Sequence, residues 1–388
     1  MRDEYLPFGK PNFSEDEIAA VTRVLRSGWV GMGPETLEFE KELGVFVGAP
    51  HVVTTNSCTS ALFLSLLAQG VGPGDEVICP SLTWCSTANA AMHLGARPVF
   101  CDVDPDTLCV SAETIGAKLS PRTKAVVIVH LGGLAVDPGP IRAALPARVA
   151  IVEDAAHALG ARYADGRPVG SSGNLTCFSF YANKNLSTGE GGAVALSDEE
   201  TAARLRSLRQ NAMPSDAWKR YSHSKSLLSF ALAELGYKMN YTDLQAAIGR
   251  VQLRRQPEFH ARRMKIADRY HEKLQPMIPG LRFQRNLHDA DHARHLYLIL
   301  LPRTGFPVSR DRLLLALRNR NIGASIHYPL LHRMPLYGGA DQPTLPETES
   351  IGARILTLPI SASMSLADAD TVVEQTEQAL RAEERVIV

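Results

Sequence analysis

An α/β fold built around a parallel sheet is the expectation from this sequence, and three observations carry it. Short runs nearly continuous in apolar or β-branched residues recur roughly every 20 to 27 residues between His51 and Val152. Segments with apolar residues at helical spacing separate them. The runs lack the inside–outside alternation of a half-exposed strand, so they suit a sheet covered by helices on both faces.

The elements follow in order. Residues 15–27 carry apolar positions at helical spacing behind Ser14, whose hydroxyl can cap the first amides. Strands are expected at 51–55, 76–79, 98–101, 125–129 and 149–152, with helices at 59–70, 85–95 and 112–119. Beyond about residue 200 the texture changes. Residues 199–209 are charged and helical, 211–226 read as an exposed loop, and a helix rich in Gln, Arg and Ala runs from Thr242 to about His271. A strand near 296–301 opens a C-terminal unit of α+β texture, which ends in a helix from about 366 to 384. The domain boundary is expected within or just after the long helix and is drawn between residues 1–255 and 256–388.

Composition narrows the function classes. The chain has 388 residues, enough for two or three compact units, and its Lys+Arg and Asp+Glu totals are both 41. No basic excess suggests nucleic acid or a membrane surface as partner. The acidic start Met1-Arg2-Asp3-Glu4 leads into no apolar signal core, and no long uncharged apolar run appears later, so a soluble cytoplasmic protein is expected. The six cysteines (Cys58, Cys79, Cys85, Cys101, Cys109, Cys177) form no CxxC pair and are expected to be reduced. No metal site is expected. His288, His292 and His295 lie in a polar segment without suitable partners and read as loop residues, and Arg254–Arg255 through Arg262–Arg263 read as a solvated helix face.

The chemistry concentrates in two places. One is Phe178-Ser179-Phe180-Tyr181-Ala182-Asn183-Lys184-Asn185, followed by a glycine-rich exit through Gly189, Gly191 and Gly192. The other lies 30 residues upstream of the lysine, where an apolar run ends in Glu153-Asp154-Ala155-Ala156-His157. A lysine able to form a Schiff base, with an aspartate able to face a pyridinium nitrogen, is the minimal set for pyridoxal 5'-phosphate (PLP) chemistry. On the two residues alone, a strand-end lysine and a helix-capping aspartate are equal competitors. The glycines do not have the spacing of a dinucleotide-binding turn.

Several further motifs stand in a fixed order: Leu6-Pro7-Phe8, Ser27-Gly28-Trp29, Gly74 through Trp84, the Asp154 and Lys184 segments, Leu235 through Asp243, and Ile326-His327-Tyr328-Pro329-Leu330. With these, the chain resembles the DegT/DnrJ/EryC1/StrS family of PLP-dependent nucleotide-sugar aminotransferases nearly end to end. In flavour it is nearest the UDP-4-amino-4-deoxy-L-arabinose–oxoglutarate aminotransferases. The resemblance implies a fold type I transferase: a large domain with a seven-stranded, mostly parallel sheet, a smaller C-terminal α+β domain, and a homodimer with shared active sites.

It also implies roles. Lys184 would hold PLP and shuttle the proton, which requires an amine pKa well below its usual ~10.4. Asp154 would keep the pyridine nitrogen protonated. His157, one helical turn further on, would contact the phenolic oxygen, and Trp84 would stack on the ring. Cys58, Thr59 and Ser179 would bind the phosphate, with Asn240 reaching it from the partner subunit. Where this chain has Cys58-Thr59 the family more often has Gly-Thr, and the thiol would then sit beside the phosphate near a helix start. Trp29 and His327 are candidate substrate contacts. The implied reaction moves an amino group from an amino acid, L-glutamate first among candidates, to the keto sugar of a nucleotide-sugar. A non-nucleotide ketone such as a keto-cyclitol is the alternative substrate. A sugar dehydrase is disfavoured, because relatives with that chemistry replace the lysine by histidine. A catalytically silent scaffold is disfavoured by the intact Lys184, Asp154 and Ser179.

Overall fold

The structure, a computed structural model, describes residues 4–213 and 232–387, so the loop expected at 211–226 falls largely outside the described residues. Seven strands form the main sheet: β1 (His51–Thr55), β2 (Glu76–Pro80), β3 (Arg97–Cys101), β4 (Thr123–Val129), β5 (Ala150–Asp154), β6 (Leu175–Ser179) and β7 (Gly192–Leu196). Their order is β1-β7-β6-β5-β4-β2-β3. Only β7 runs antiparallel to its neighbours, pairing with β1 on one side and β6 on the other. The expected mostly parallel sheet is therefore present, with one reversed strand beside the lysine segment.

Helices α1 (Glu15–Ser27), α2 (Pro34–Val47), α3 (Cys58–Ala68), α4 (Ser86–His93), α5 (Ala112–Gly116), α6 (Pro138–Ala144) and α7 (Glu199–Leu208) surround this sheet. The capping reading at Ser14 holds. Ser14 and Glu17 form a reciprocal capping box, and Gly28 closes the helix in the left-handed conformation. Helix α3 is apolar almost all round because it is buried between sheet and neighbours; Leu62, Leu64 and Leu66 are at most 1 % exposed. Burial of each such leucine contributes about 1.5–3 kcal/mol.

Helix α8 (Asp243–Arg254) packs against α1 and α2, and the C-terminal part contains α9 (Gln256–Met277), α10 (Arg310–Arg318), α11 (Pro346–Gly352) and α12 (Leu366–Ile387). It also carries an antiparallel sheet ordered β10-β9-β8, with β8 at Arg282–Phe283, β9 at Tyr297–Leu300 and β10 at Ile355–Leu358. A second apolar core, including Tyr270, Leu274, Tyr297, Ile299, Leu313 and Leu358, lies between this sheet and α9, α10 and α12. Another cluster joins Leu82 and Leu131 of the large sheet's loops to Leu296, Leu298 and Tyr328.

Two local expectations are corrected. The helix from Thr242 to about His271 is two helices that meet at Arg255, because Pro257 in the first turn of α9 has no N–H with which to continue α8. No helix follows Asp154 either: residues 155–160 form turns, so His157 is set by loop geometry rather than by a helical turn. Asp243 has a structural task. Its buried carboxylate accepts from the Gly33 amide (2.7 Å), the Thr36 amide (3.0 Å) and the Thr36 hydroxyl (2.7 Å), which caps α2 across 207 residues of sequence.

Candidate active site

The carboxyl ends of the parallel strands open into a cavity of about 460 Å³. Open α/β sheets place ligand sites at this edge, because the loops diverge there. Past β1 come Ser57, Cys58 and Thr59; past β2, Thr83, Trp84 and Ser86; from β5 and its turn, Asp154 and His157; from β6 and its loop, Ser179, Tyr181, Asn183 and Lys184. His327 and Tyr328 close the cavity from the C-terminal part. The structure thus gathers Lys184, Asp154, His157, Trp84, Cys58, Thr59, Ser179 and His327 around one space.

Lys184 sits in a tight turn, its amide donating to the Tyr181 carbonyl at 2.9 Å. Burial lowers its pKa to about 8, against a weaker opposing pull from Cys58 and Asp154. With a pKa of about 8, about a tenth of the amine is free at pH 7, far more than at its usual ~10.4. Asp154 ends β5, is only 6 % exposed, and accepts from the Thr87 hydroxyl (2.8 Å) and the Ala156 amide (3.2 Å). Burial nevertheless raises its carboxyl above the usual range, since these two donors, Lys184 and His130 compensate only in part. A carboxylate in this condition is stabilised by any cation that enters the cavity beside it.

His157 is fully enclosed, and its tautomer follows from its partners. The Gly132 amide donates to Nδ1 at 3.2 Å, so Nδ1 is the acceptor and Nε2 carries the hydrogen toward the Tyr328 oxygen at 2.9 Å. Burial, with Lys184 and His327 adding to it, holds the ring well below its ordinary pKa and therefore neutral. His327 is likewise held down to about 3 by burial and by Lys184, and its Nδ1 faces the Thr357 hydroxyl at 2.8 Å. Both nitrogens of His157 are thus engaged within the chain, a more constrained position than sequence suggested.

The start of α3 faces the same space. Ser57 caps it by accepting from the Ser60 amide, which leaves the Cys58 and Thr59 amides without intrahelical acceptors, as at any helix start. The Cys58 thiol does not join them: it turns inward toward the Cys177 carbonyl (3.8 Å), and burial pushes its pKa well up. Only its backbone is available to an anion. Gly192 explains how close the strand runs, since a Cβ there would lie 2.5 Å from the Cys58 nitrogen. Ser179 lies at the end of β6 and Thr59 faces Ser86 (2.7 Å), so hydroxyls ring the amides.

Trp84 is 59 % exposed and tilted toward Tyr328, with centroids 6.0 Å apart, so it is not a core aromatic. Trp29 and Asn240 do not line the cavity of their own chain. The Trp29 indole donates to the Met32 carbonyl at 3.1 Å. Asn240 donates to the Tyr241 carbonyl, and the cap of α8 is Thr242, so capping does not account for Asn240. Sequence reasoning gave no role to Thr87, Tyr328, Tyr181 or Asn183. Thr87 had no motif of its own, whereas Tyr328 stood inside a quoted one. The histidine segment is also corrected: His292 and His295 are 1 % and 2 % exposed, and His295 packs against His157 with centroids 4.5 Å apart. Among the described residues, no group of three or more His, Cys, Asp or Glu is placed to hold a metal ion.

An amine with a lowered pKa, a buried carboxylate deficient in positive charge, a helix start with free amides and an exposed aromatic face make a donor set that fits PLP. The family model for "DegT/DnrJ/EryC1/StrS aminotransferase family" matches residues 11–377. The chain belongs to this family. It is 44% identical over 378 residues to the spore coat polysaccharide biosynthesis protein SpsC of Bacillus subtilis, covering 96% of each chain. The putative sugar aminotransferase Spr1654 of Streptococcus pneumoniae in its PMP form superposes with a TM-score of 0.89 at 30% identity, over 97% of this chain and 100% of that one. DesI, solved in the presence of its TDP-sugar product, superposes with a TM-score of 0.88 at 29% identity, over 100% of this chain and 95% of that one. Membership makes this chain a PLP-dependent transaminase of fold type I, within a family of sugar aminotransferases.

Proposed function

We propose that this transaminase moves an amino group from an amino acid, L-glutamate first, to a keto sugar carried on a nucleotide. The observation that carries the reading is the asymmetry of the cavity. Its floor holds Lys184 and Asp154, while its lining residues Trp84 and Tyr181 remain 59 % and 47 % exposed and so stand at an open mouth. A broad aromatic rim suits a substrate whose reacting sugar enters and whose nucleotide stays outside. DesI's TDP-sugar product and SpsC's place in polysaccharide biosynthesis support the same class.

PLP, when bound, supplies the electron sink that lets an amino acid's α-hydrogen leave as a proton. The chain's part is to hold and move that proton. Lys184 Nζ takes it and returns it, a task that needs the free amine, and burial enlarges the free fraction by bringing the pKa down to about 8. Asp154 would pair with the ring nitrogen, and the Cys58 and Thr59 amides with the Thr59 and Ser179 hydroxyls would take the phosphate. His157 stays neutral beside the ring. Trp84 would cover the ring, with His327 at the substrate; Trp29 lies outside the cavity of its own chain. We also propose a homodimer in which Asn240 serves the partner's phosphate site, and a domain boundary at residues 255 and 256, where α8 gives way to α9.

The test is to incubate the holoenzyme with L-glutamate and a panel of TDP- and UDP-linked keto sugars, following 2-oxoglutarate by a coupled assay. Saturable turnover on at least one nucleotide-linked sugar, with loss of turnover on the same sugar lacking its nucleotide, is the expected result. Turnover on a free keto-cyclitol alone would overturn the substrate class. For the dimer, mixing Lys184→Ala subunits with Asn240→Ala subunits should restore activity, because some mixed dimers carry one intact site.

A further inference from the structure

A second cavity of about 280 Å³ lies behind the lysine segment, lined by Arg263, His260, Phe46, Phe259, Met264 and Asn185 among others. Asn185 adjoins Lys184 in sequence but faces this other space. Its apolar lining is ordinary; its charge is not. Arg263 is 3 % exposed, so its guanidinium is all but withdrawn from water. Its Nη1 donates to two backbone carbonyls, of Ile360 at 3.2 Å and Arg294 at 3.4 Å. Nε has no partner, and among the described residues neither does Nη2. No carboxylate of the described residues forms an ion pair with it. Burial without a counter-charge lowers its pKa to about 10.

The surroundings deepen the imbalance. Arg294, fully buried, donates only to the carbonyls of His292 and Asp289 and toward His260 Nε2 at 3.4 Å, and its own Nε is unpartnered. Asp268, Asp289 and Asp291 act on Arg294 or His260 from a distance, yet none of them lines the cavity. His260 is kept neutral by burial and by the two arginines, so it offers a ring nitrogen rather than a charge. Burying a guanidinium without an anion is unfavourable, and a planar fork with unused N–H groups on one edge matches a carboxylate.

We propose that this cavity binds a small organic anion, a carboxylate with an apolar body, head-first on Arg263. The body would lie against Phe46, Phe259 and Met264. Such a site is separate from the Lys184 cavity but mechanically close to it: Asn185 Oδ1 faces His295 Nδ1 at 3.2 Å, and its carbonyl accepts from Gln256, another lining residue, at 3.0 Å.

The test uses the PLP-loaded holoenzyme, so that the phosphate site is filled, and benzoate as the probe in titration calorimetry at constant ionic strength. Benzoate should bind saturably, while uncharged benzamide should not. Arg263→Met should weaken benzoate by about tenfold or more, the loss of a charge-assisted pair. Met264→Trp, which fills the apolar end and keeps the arginine, should also remove binding, so a folding defect in the first variant cannot decide the matter alone. Absence of benzoate binding, equal binding of benzamide, or binding unchanged in both variants overturns the proposal; the last would assign the benzoate to the Lys184 cavity.

Discussion

Glu153 and Asp154 are neighbours at the end of β5, and the two sides of the strand treat them in opposite ways. Successive side chains of a strand point to opposite faces. Glu153, fully buried away from the cavity, collects donors: His130 Nε2 (2.9 Å), the Tyr163 hydroxyl (2.6 Å), Asn174 (2.8 Å) and Ser172. The Val136 amide fixes the His130 tautomer by donating to its Nδ1. Burial pushes the Glu153 carboxyl up, but these bonds, led by His130, more than offset it and hold it below the usual range. Asp154 has two donors and stays raised. A carboxylate saturated within the chain is structure; one left short of positive charge is a receptor.

Four changes would break or sharpen this contrast. The largest effect belongs to the amine facing Asp154. Lys184→Ala or Lys184→Arg should cost about 10⁴-fold or more in single-turnover rate with a sugar substrate, since neither side chain can bond to the cofactor and shuttle the proton. The wild-type amine has a pH signature with a definite sign. Its folded pKa of about 8 lies below the unfolded ~10.4, so the folded chain binds fewer protons between them. Apoprotein stability should gain from this residue as pH rises through that window, and the rate of PLP capture, followed by absorbance, should rise with pH and level off above about 8.

Asp154→Asn comes next, with about 10²-fold lost in kcat because the charge opposite the ring nitrogen is gone. Since the raised Asp154 pKa means that stability falls as pH rises from the ordinary carboxylate value of ~3.9 toward the folded one, the asparagine apoprotein should melt no lower than the parent at neutral pH. A lower melting temperature with intact specific activity would make Asp154 a structural residue. Thr87→Val removes one of its two side-chain and backbone donors and should cost about tenfold in kcat, strongest on the acid side of the profile. The smallest kinetic effect is expected from Glu153→Gln, which should leave kcat within about threefold while lowering stability by about 1–3 kcal/mol, measured by chemical denaturation. A kcat loss matching that of Asp154→Asn would erase the distinction between the two faces.

The strands between His51 and Val152 were legible because burial on both faces writes a continuous apolar run, and Lys184 and Asp154 because both stand where such a run stops. Helices α2 and α6 were not read. The first starts on a cap supplied from Asp243, a partner no local pattern contains. The break at Arg255 was written in Pro257, although the surrounding helical composition concealed it. Arg263 was read as solvated because it sits in a basic run; only the packing of α9 against the second sheet withdraws it. The Cys58 thiol faces inward because its neighbour Cys177, distant in sequence, lies beneath it.

The reversed strand β7 has a consequence for how the reactive lysine is carried. Ser179 and Gly192 are cross-strand partners, and the Phe180 amide donates to the Gly191 carbonyl at 2.9 Å, so the segment between them begins and ends at one point of the sheet. Tyr241 pins it from outside through Thr188 at 2.7 Å. The lysine therefore rides on a zipped hairpin whose reach is fixed before any ligand arrives. Unzipping the β6–β7 ladder would release its anchor, which makes amide hydrogen exchange along 176–179 and 192–195 a gauge of how well the empty enzyme keeps its nucleophile in place.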